Sequence, residues 1–156
     1  MVRISLIQEM FPDARFIFIY RDPYKAVESF YRFFNEILPA VQVQDAKEAL
    51  SRERLTRIYA DMIRQYQVEK CKISPDNLVE IRFEDFKKNP LEDLEKIFTH
   101  LRIPGYTDAL PHFKSYLEDV SEFRQTKYEV TSETIRGINE HAGDLVDLLG
   151  YPVRDQ

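Results

Sequence analysis

The sequence predicts an α/β fold, a parallel sheet flanked by helices, and three observations carry that reading. Ala14 to Tyr20 is a short aromatic and β-branched run, apolar on both faces as a buried parallel strand would be. Leu78 to Phe83 is a second such run, in which Val79, Ile81 and Phe83 alternate with Glu80 and Arg82. Two stretches of helical periodicity separate these runs, a connection long enough for a β-α-α-β crossover between parallel strands.

Each element has its own local signals. Ile4, Ile7 and Met10/Phe11 recur at helical spacing, but nothing at Met1 or Val2 resembles an N-cap, so the chain is expected to begin inside an element. Pro12-Asp13 makes the turn into the first strand. After that strand, Asp22 can cap a helix and Pro23 can occupy its first position, where a missing N–H costs nothing. Val27, Tyr31, Phe34 and Leu38 fall on one stripe, widened by Phe30 and Phe33, while Asp22, Lys25, Ser29 and Arg32 follow a polar one. Pro39 is expected to end this helix, and Ala40 to Gln44 leads towards a second. There Leu55, Ile58, Tyr59, Met62 and Tyr66 repeat at three and four. Ser74-Pro75-Asp76-Asn77 is a turn cluster before the second strand. Asn89-Pro90-Leu91-Glu92 combines an N-cap, a first-position proline and a capping-box acid ahead of Leu94, Phe98 and Leu101. Thr131 is placed to cap a last helix, with Ile135, Ile138, Ala142, Leu145 and Leu149 as its stripe, Gly150 as its stop and Pro152 beyond.

Composition narrows the functions open to such a chain. With 156 residues, 44% of them hydrophobic, it reads as one soluble domain spanning residues 1–156. Its 22 basic against 27 acidic residues leave a net charge of −5, which argues against a surface devoted to nucleic acid or anionic lipid. Any anion must be bound locally. Cys71 is the single cysteine and no Cys/His spacing suggests a metal, so neither a disulfide nor a metal is expected. Phe16 to Tyr20, the densest apolar stretch, is far short of the roughly 20 residues of a membrane span. A cytoplasmic location is the resulting expectation.

In a parallel sheet, ligands gather beyond the carboxyl ends of the strands, and Arg21 is the first residue past strand one, at the mouth of a helix. A guanidinium offers a fork of donors matched to phosphate oxygens, and Ser29 on the polar stripe could add one more hydrogen bond. The same residues also admit a structural reading, with Arg21 paired to Asp22 or another acid and Ser29 simply a small helical residue.

The stretch from Phe11 through Arg21-Asp22-Pro23 to Ser29 resembles the segment of sulfotransferases that holds the 3′-phosphate of 3′-phosphoadenosine-5′-phosphosulfate (PAPS). Its strand-end arginine matches Arg21, and its helical serine, eight residues later, matches Ser29. Leu78 to Phe86 followed by Asn89-Pro90 is similar to the family's strand and turn before its C-terminal helices, often written with Tyr-Glu-Asp where this chain has Phe83-Glu84-Asp85. That aromatic lies near the adenine in the family, which makes Phe83 a candidate for ring stacking, or else a core residue. Lys127-Tyr128 and Leu149-Gly150-Tyr151 look like the carboxyl end of the bacterial and archaeal branch. Arg124 and Lys127 are accordingly candidates for a second cation on the phosphate. The resemblance runs from about Arg3 to Tyr151. It implies a P-loop NTPase-like sulfotransferase fold, PAPS as sulfuryl donor without a metal, and an acceptor hydroxyl or amine on a small molecule or glycan.

One family feature has no counterpart. The Lys-Ser/Thr-Gly-Thr type loop that cradles the 5′-phosphosulfate stands upstream of the strand-end arginine, whereas Gly105, Gly137, Gly143 and Gly150 all lie downstream of Arg21. The expectation is an N-terminally truncated domain with an unknown catalytic base, His100, His112 and His141 having structural roles. An exposed sheet edge would then favour self-association into a homo-oligomer. Two further readings stay open: a non-catalytic remnant that binds a nucleotide or a protein, and an unrelated nucleotide-handling α/β protein such as a kinase fragment.

Overall fold

A computed structural model describes residues 3–41, 51–122 and 129–155, with the backbone alone at Leu38 and Pro39. The elements run α1 (Ile4–Met10), β1 (Phe16–Tyr20), α2 (Pro23–Val41), α3 (Arg52–Glu69), β2 (Leu78–Arg82), α4 (Phe83–Phe86), α5 (Pro90–His100), α6 (Tyr106–Asp119) and α7 (Ser132–Leu148). They divide between two compact units, one made of residues 3–21 with 71–126 and the other of residues 22–70 with 127–156.

The first unit contains the sheet. β1 and β2 pair in parallel, in a register that sets Phe16 against Leu78 and Tyr20 against Arg82. The parallel α/β architecture expected from the two apolar runs is therefore present. The burial of β1 is not the expected one, because Ile17 and Ile19 are 46% and 55% exposed. Among the described residues the sheet has two strands. Phe83 ends its strand one residue earlier than expected, opening the single turn α4. Pro90 sits in the first turn of α5 as expected, but the Asn89 side chain makes no capping hydrogen bond. α6, absent from the sequence reading, carries Pro111 inside it and starts after Gly105, whose φ of 85° is the left-handed conformation that suits glycine. Its Tyr106 and Phe113 rings meet Phe98 of α5 at 5.4 and 5.9 Å between centroids, and the Tyr106 hydroxyl donates to the Leu91 carbonyl at 2.9 Å.

The second unit is helical. α2, α3 and α7 pack on one another, with Tyr24, Val27, Leu55, Ala60, Ile63, Tyr66, Ile138, Leu145 and Val146 buried. Asp22 caps α2 as expected, its Oδ1 accepting from the Tyr24 amide at 2.9 Å. Pro39 does not end the helix, which runs on to Val41. Of the lead-in expected from Ala40 to Gln44, the first two residues belong to α2 and the rest lies outside the described residues. The inner face of α3 is also rotated from the expected stripe: Leu55, Thr56, Ala60, Ile63 and Tyr66 are buried, whereas Ile58 is 45% exposed. Thr131 caps α7 by accepting from the Thr134 amide at 3.3 Å, and Gly150 follows the helix with a φ of 73°.

Candidate functional site

Parallel pairing brings two of the sequence-predicted residues together. Because Tyr20 stands opposite Arg82, the next residue on each chain, Arg21 and Phe83, lies just past the carboxyl end of its strand. The Arg21 guanidinium carbon is 5.9 Å from the centroid of the Phe83 ring, within cation–π range. Phe83 is half-buried at the start of α4. Arg21 Nε is buried and has no hydrogen-bond partner among the described residues. A buried donor of this kind costs about 1–3 kcal/mol when left unmade, so an acceptor brought to it is strongly favoured. An aromatic face beside a cation whose donor is unspent is chemically suited to an anionic ligand carrying a ring.

Ser29 belongs to the helical unit, half-buried on α2 beside a residue that the sequence reading passed over. Glu28 is fully buried. Arg52 of α3 donates to both of its oxygens, from Nε and Nη2, at 3.2 Å each, and Arg32 donates from one turn along α2 at 3.2 Å. From α7, the Thr134 hydroxyl donates at 2.6 Å and that of Thr131 at 3.4 Å. Arg52 in turn lies 3.7 Å over the Tyr31 ring and reaches Glu133 at 3.2 Å. Burial would raise the Glu28 carboxyl, but the Arg52 hydrogen bonds, the Thr134 bond and the Arg52 charge outweigh it and hold the group below its ordinary value. The network fixes the rotation of α2 about its axis, and with it the direction of the face that carries Ser29.

A second clasp holds the start of α2. Arg154, from the chain's closing residues, is ion-paired with Asp22, and its guanidinium carbon lies 4.9 Å from the Tyr24 ring centroid. The Tyr24 hydroxyl donates to Asn139 Oδ1 at 2.5 Å and accepts from the Arg154 amide at 3.1 Å. Asp22 is thus spent on Arg154 and on the α2 amides. No sequence pattern announces this pairing, because its partners are 132 positions apart.

Arg124 and Lys127 lie outside the described residues. Two of the histidines make structural contacts: His100 Nε2 is 2.9 Å from the Pro75 carbonyl, and His141 Nε2 is 3.8 Å from Glu53. Among the described residues no three His, Cys, Asp or Glu side chains gather as a metal site, and no helix is long and apolar enough to cross a membrane.

Comparison with known proteins supplies what geometry alone does not. A family model described as "Sulfotransferase family" matches residues 1–108. Two curated relatives, each named omega-hydroxy-beta-dihydromenaquinone-9 sulfotransferase Stf3, from Mycobacterium bovis and Mycobacterium tuberculosis, are 28% identical over 149 residues, 96% of this chain. The chain spans 38% of the length of those relatives. Among solved structures, the sulfotransferase domain from the curacin biosynthetic pathway aligns over 97% of this chain and 58% of its own, with a TM-score of 0.56 and 18% identity. That likeness is one of fold.

Proposed function

The chain belongs to the sulfotransferase family, and from that premise we propose that it takes part in transfer of a sulfuryl group from PAPS to a hydroxyl or amine acceptor, supplying the residues that hold the donor's 3′-phosphate. In such a transfer the bond between sulfur and the bridging phosphate oxygen breaks, a bond from sulfur to the acceptor oxygen or nitrogen forms, and the acceptor gives up its proton. Adenosine 3′,5′-bisphosphate leaves. Positioning and charge stabilisation carry most of the rate in this kind of chemistry, so a site that fixes the donor contributes directly.

The observation that carries the reading is the buried, unpartnered Nε of Arg21 at the carboxyl end of a parallel strand. A phosphate oxygen is the acceptor that would satisfy it, and Phe83 is the ring beside which adenine would lie. Ser29 joins the proposal on the likeness of the segment from Phe11 to Ser29, not on a distance. Arg124 and Lys127 remain proposed second cations on the same ground. The four glycines stand at the start of α6, within α7 and just after it, so none follows a strand as a 5′-phosphosulfate loop would, and no residue is assigned to that group.

Comparing Arg21→Ala with Lys114→Ala tests the assignment, Lys114 being an exposed cation of α6. Loss of a charge-assisted bond should weaken adenosine 3′,5′-bisphosphate binding by about 1.5–3 kcal/mol in the first variant and leave the second unchanged. Equal affinities in the two variants would remove Arg21 from the site.

A further inference from the structure

Arg154, just past α7, is held through its backbone as well as its side chain. Its amide donates to the Tyr24 hydroxyl at 3.1 Å, and its carbonyl accepts from Asn139 Nδ2 at 2.9 Å. Tyr24 is fully buried, so these bonds seat Arg154 on a fixed part of the helical unit. The guanidinium lies against the Tyr24 ring and donates from Nη2 to Asp22 Oδ2. The pair is partly withdrawn from water, its side chains 33% and 11% exposed, so salt screens it less than it would a surface pair.

The two oxygens of Asp22 have different tasks. Oδ1 caps α2 through the Tyr24 amide, which needs an acceptor but no charge, since asparagine caps about as well. The charge is surplus to the cap, and Arg154 offsets it. Its importance lies one residue earlier. Arg21, the residue assigned to the donor's 3′-phosphate, is joined to Asp22 by a single peptide, with ~3.8 Å between their Cα atoms. An uncompensated carboxylate so close along the chain would repel a phosphate dianion and compete with it for the guanidinium. The repulsion alone is appreciable: in water, one unit charge at about 10 Å lowers the affinity of a doubly charged group about fourfold.

We propose that Arg154 is a positioning residue for the donor's 3′-phosphate: by holding Asp22 it withholds that carboxylate from Arg21 and from the phosphate. The role rests on the donor reading of Arg21, whereas the clasp itself lies wholly within the helical unit. A purely structural clasp would fasten the residues after α7 and nothing more, and charge substitutions separate the two.

Adenosine 3′,5′-bisphosphate is titrated by calorimetry into the 156-residue chain and into Arg154→Gln, Arg154→Lys, Asp22→Asn and the double variant Asp22→Asn with Arg154→Gln. Arg64→Gln is the control, since it removes a cation that pairs with Asp144 at 2.9 Å in the same unit. Arg154→Gln should weaken binding about fourfold at low salt, and the loss should vanish at about 1 M salt, where the screening length is about 3 Å. Arg154→Lys, which keeps the charge, and Arg64→Gln should bind as the parent does. The double variant is decisive. With the Asp22 charge gone, removing that of Arg154 should cost no affinity, whereas a fastening role predicts the same loss with or without that charge. Parental affinity in Arg154→Gln, an equal loss in the double variant, or a loss that survives high salt would overturn the proposal. Weaker binding by Asp22→Asn than by the parent would also overturn it, and needs no Arg154 variant to fold. A folded parent that binds the bisphosphate no better than 5′-AMP would overturn the donor reading itself, and the role of Arg154 with it.

Discussion

Glu28 is the residue on which the helical unit turns, and its neighbours explain both its stability and its invisibility in the sequence. It reads as one more polar residue beside Ser29, and the Arg32 pair one turn away would suit a solvated helix face. The decisive partners, Arg52 and Thr134, are 24 and 106 positions distant, beyond the reach of periodicity. Removing one member of a buried pair strands the other, so Glu28→Gln should cost about 3 kcal/mol in equilibrium unfolding. Its pH dependence has a definite sign. A carboxyl held below its ordinary value of 4.5 in the folded state contributes stability that is complete above that value and is lost as pH falls through the lower, folded one. Acid titration of unfolding should therefore show a steeper loss below about pH 4.5 in the parent than in Glu28→Gln. Parallel profiles would mean that folding leaves the Glu28 carboxyl at its ordinary value. Arg21 differs in kind, since its position just past the strand end follows from local order alone, from a β-branched run before it and Asp22-Pro23 after it.

At the scale of elements, the ends of helices were legible where a side chain does the capping, and less so where packing decides. Asp22, Thr131 and Gly150 mark their boundaries because each satisfies or permits a particular backbone geometry within a few residues. Pro39 misled, since it is a helix breaker by local rule and yet lies inside α2. α6 was hidden for the same reason, with Pro111 interrupting its pattern and its packing supplied by Phe98 of a different helix. The stripe on α3 was misplaced because buried Thr56 and Ala60 carry little hydrophobic signal, whereas half-exposed Ile58 carries much. The cap at Asp22 has two duties, to the α2 amides and to Arg154. Asp22→Ala should accordingly exceed the usual cap loss of about 1 kcal/mol, and Asp22→Asn, which keeps the cap and loses the charge, should recover part of it. Thermal unfolding of the two variants checks this; identical losses would reduce Asp22 to its ion pair.

For the molecule as a whole, the sequence made the family and the parallel α/β plan readable, because both rest on motifs in a fixed order along the chain. Its solvent-facing apolar surface was not readable, since Ile17 and Ile19 have the composition of a strand covered on both sides. They are exposed side by side on one face of β1, which is where the self-association expected from the sequence would act. Ile19→Lys should lower the concentration dependence of sedimentation without changing the helical content; unchanged association would place the contact elsewhere. The central claim, that this chain carries the subsite for the donor's 3′-phosphate, is tested most directly by calorimetric titration with adenosine 3′,5′-bisphosphate, with 5′-AMP as the matched ligand lacking that group. Saturable binding that requires the 3′-phosphate is the expected result. Equal binding of the two nucleotides, or none of either by a folded chain, would contradict it.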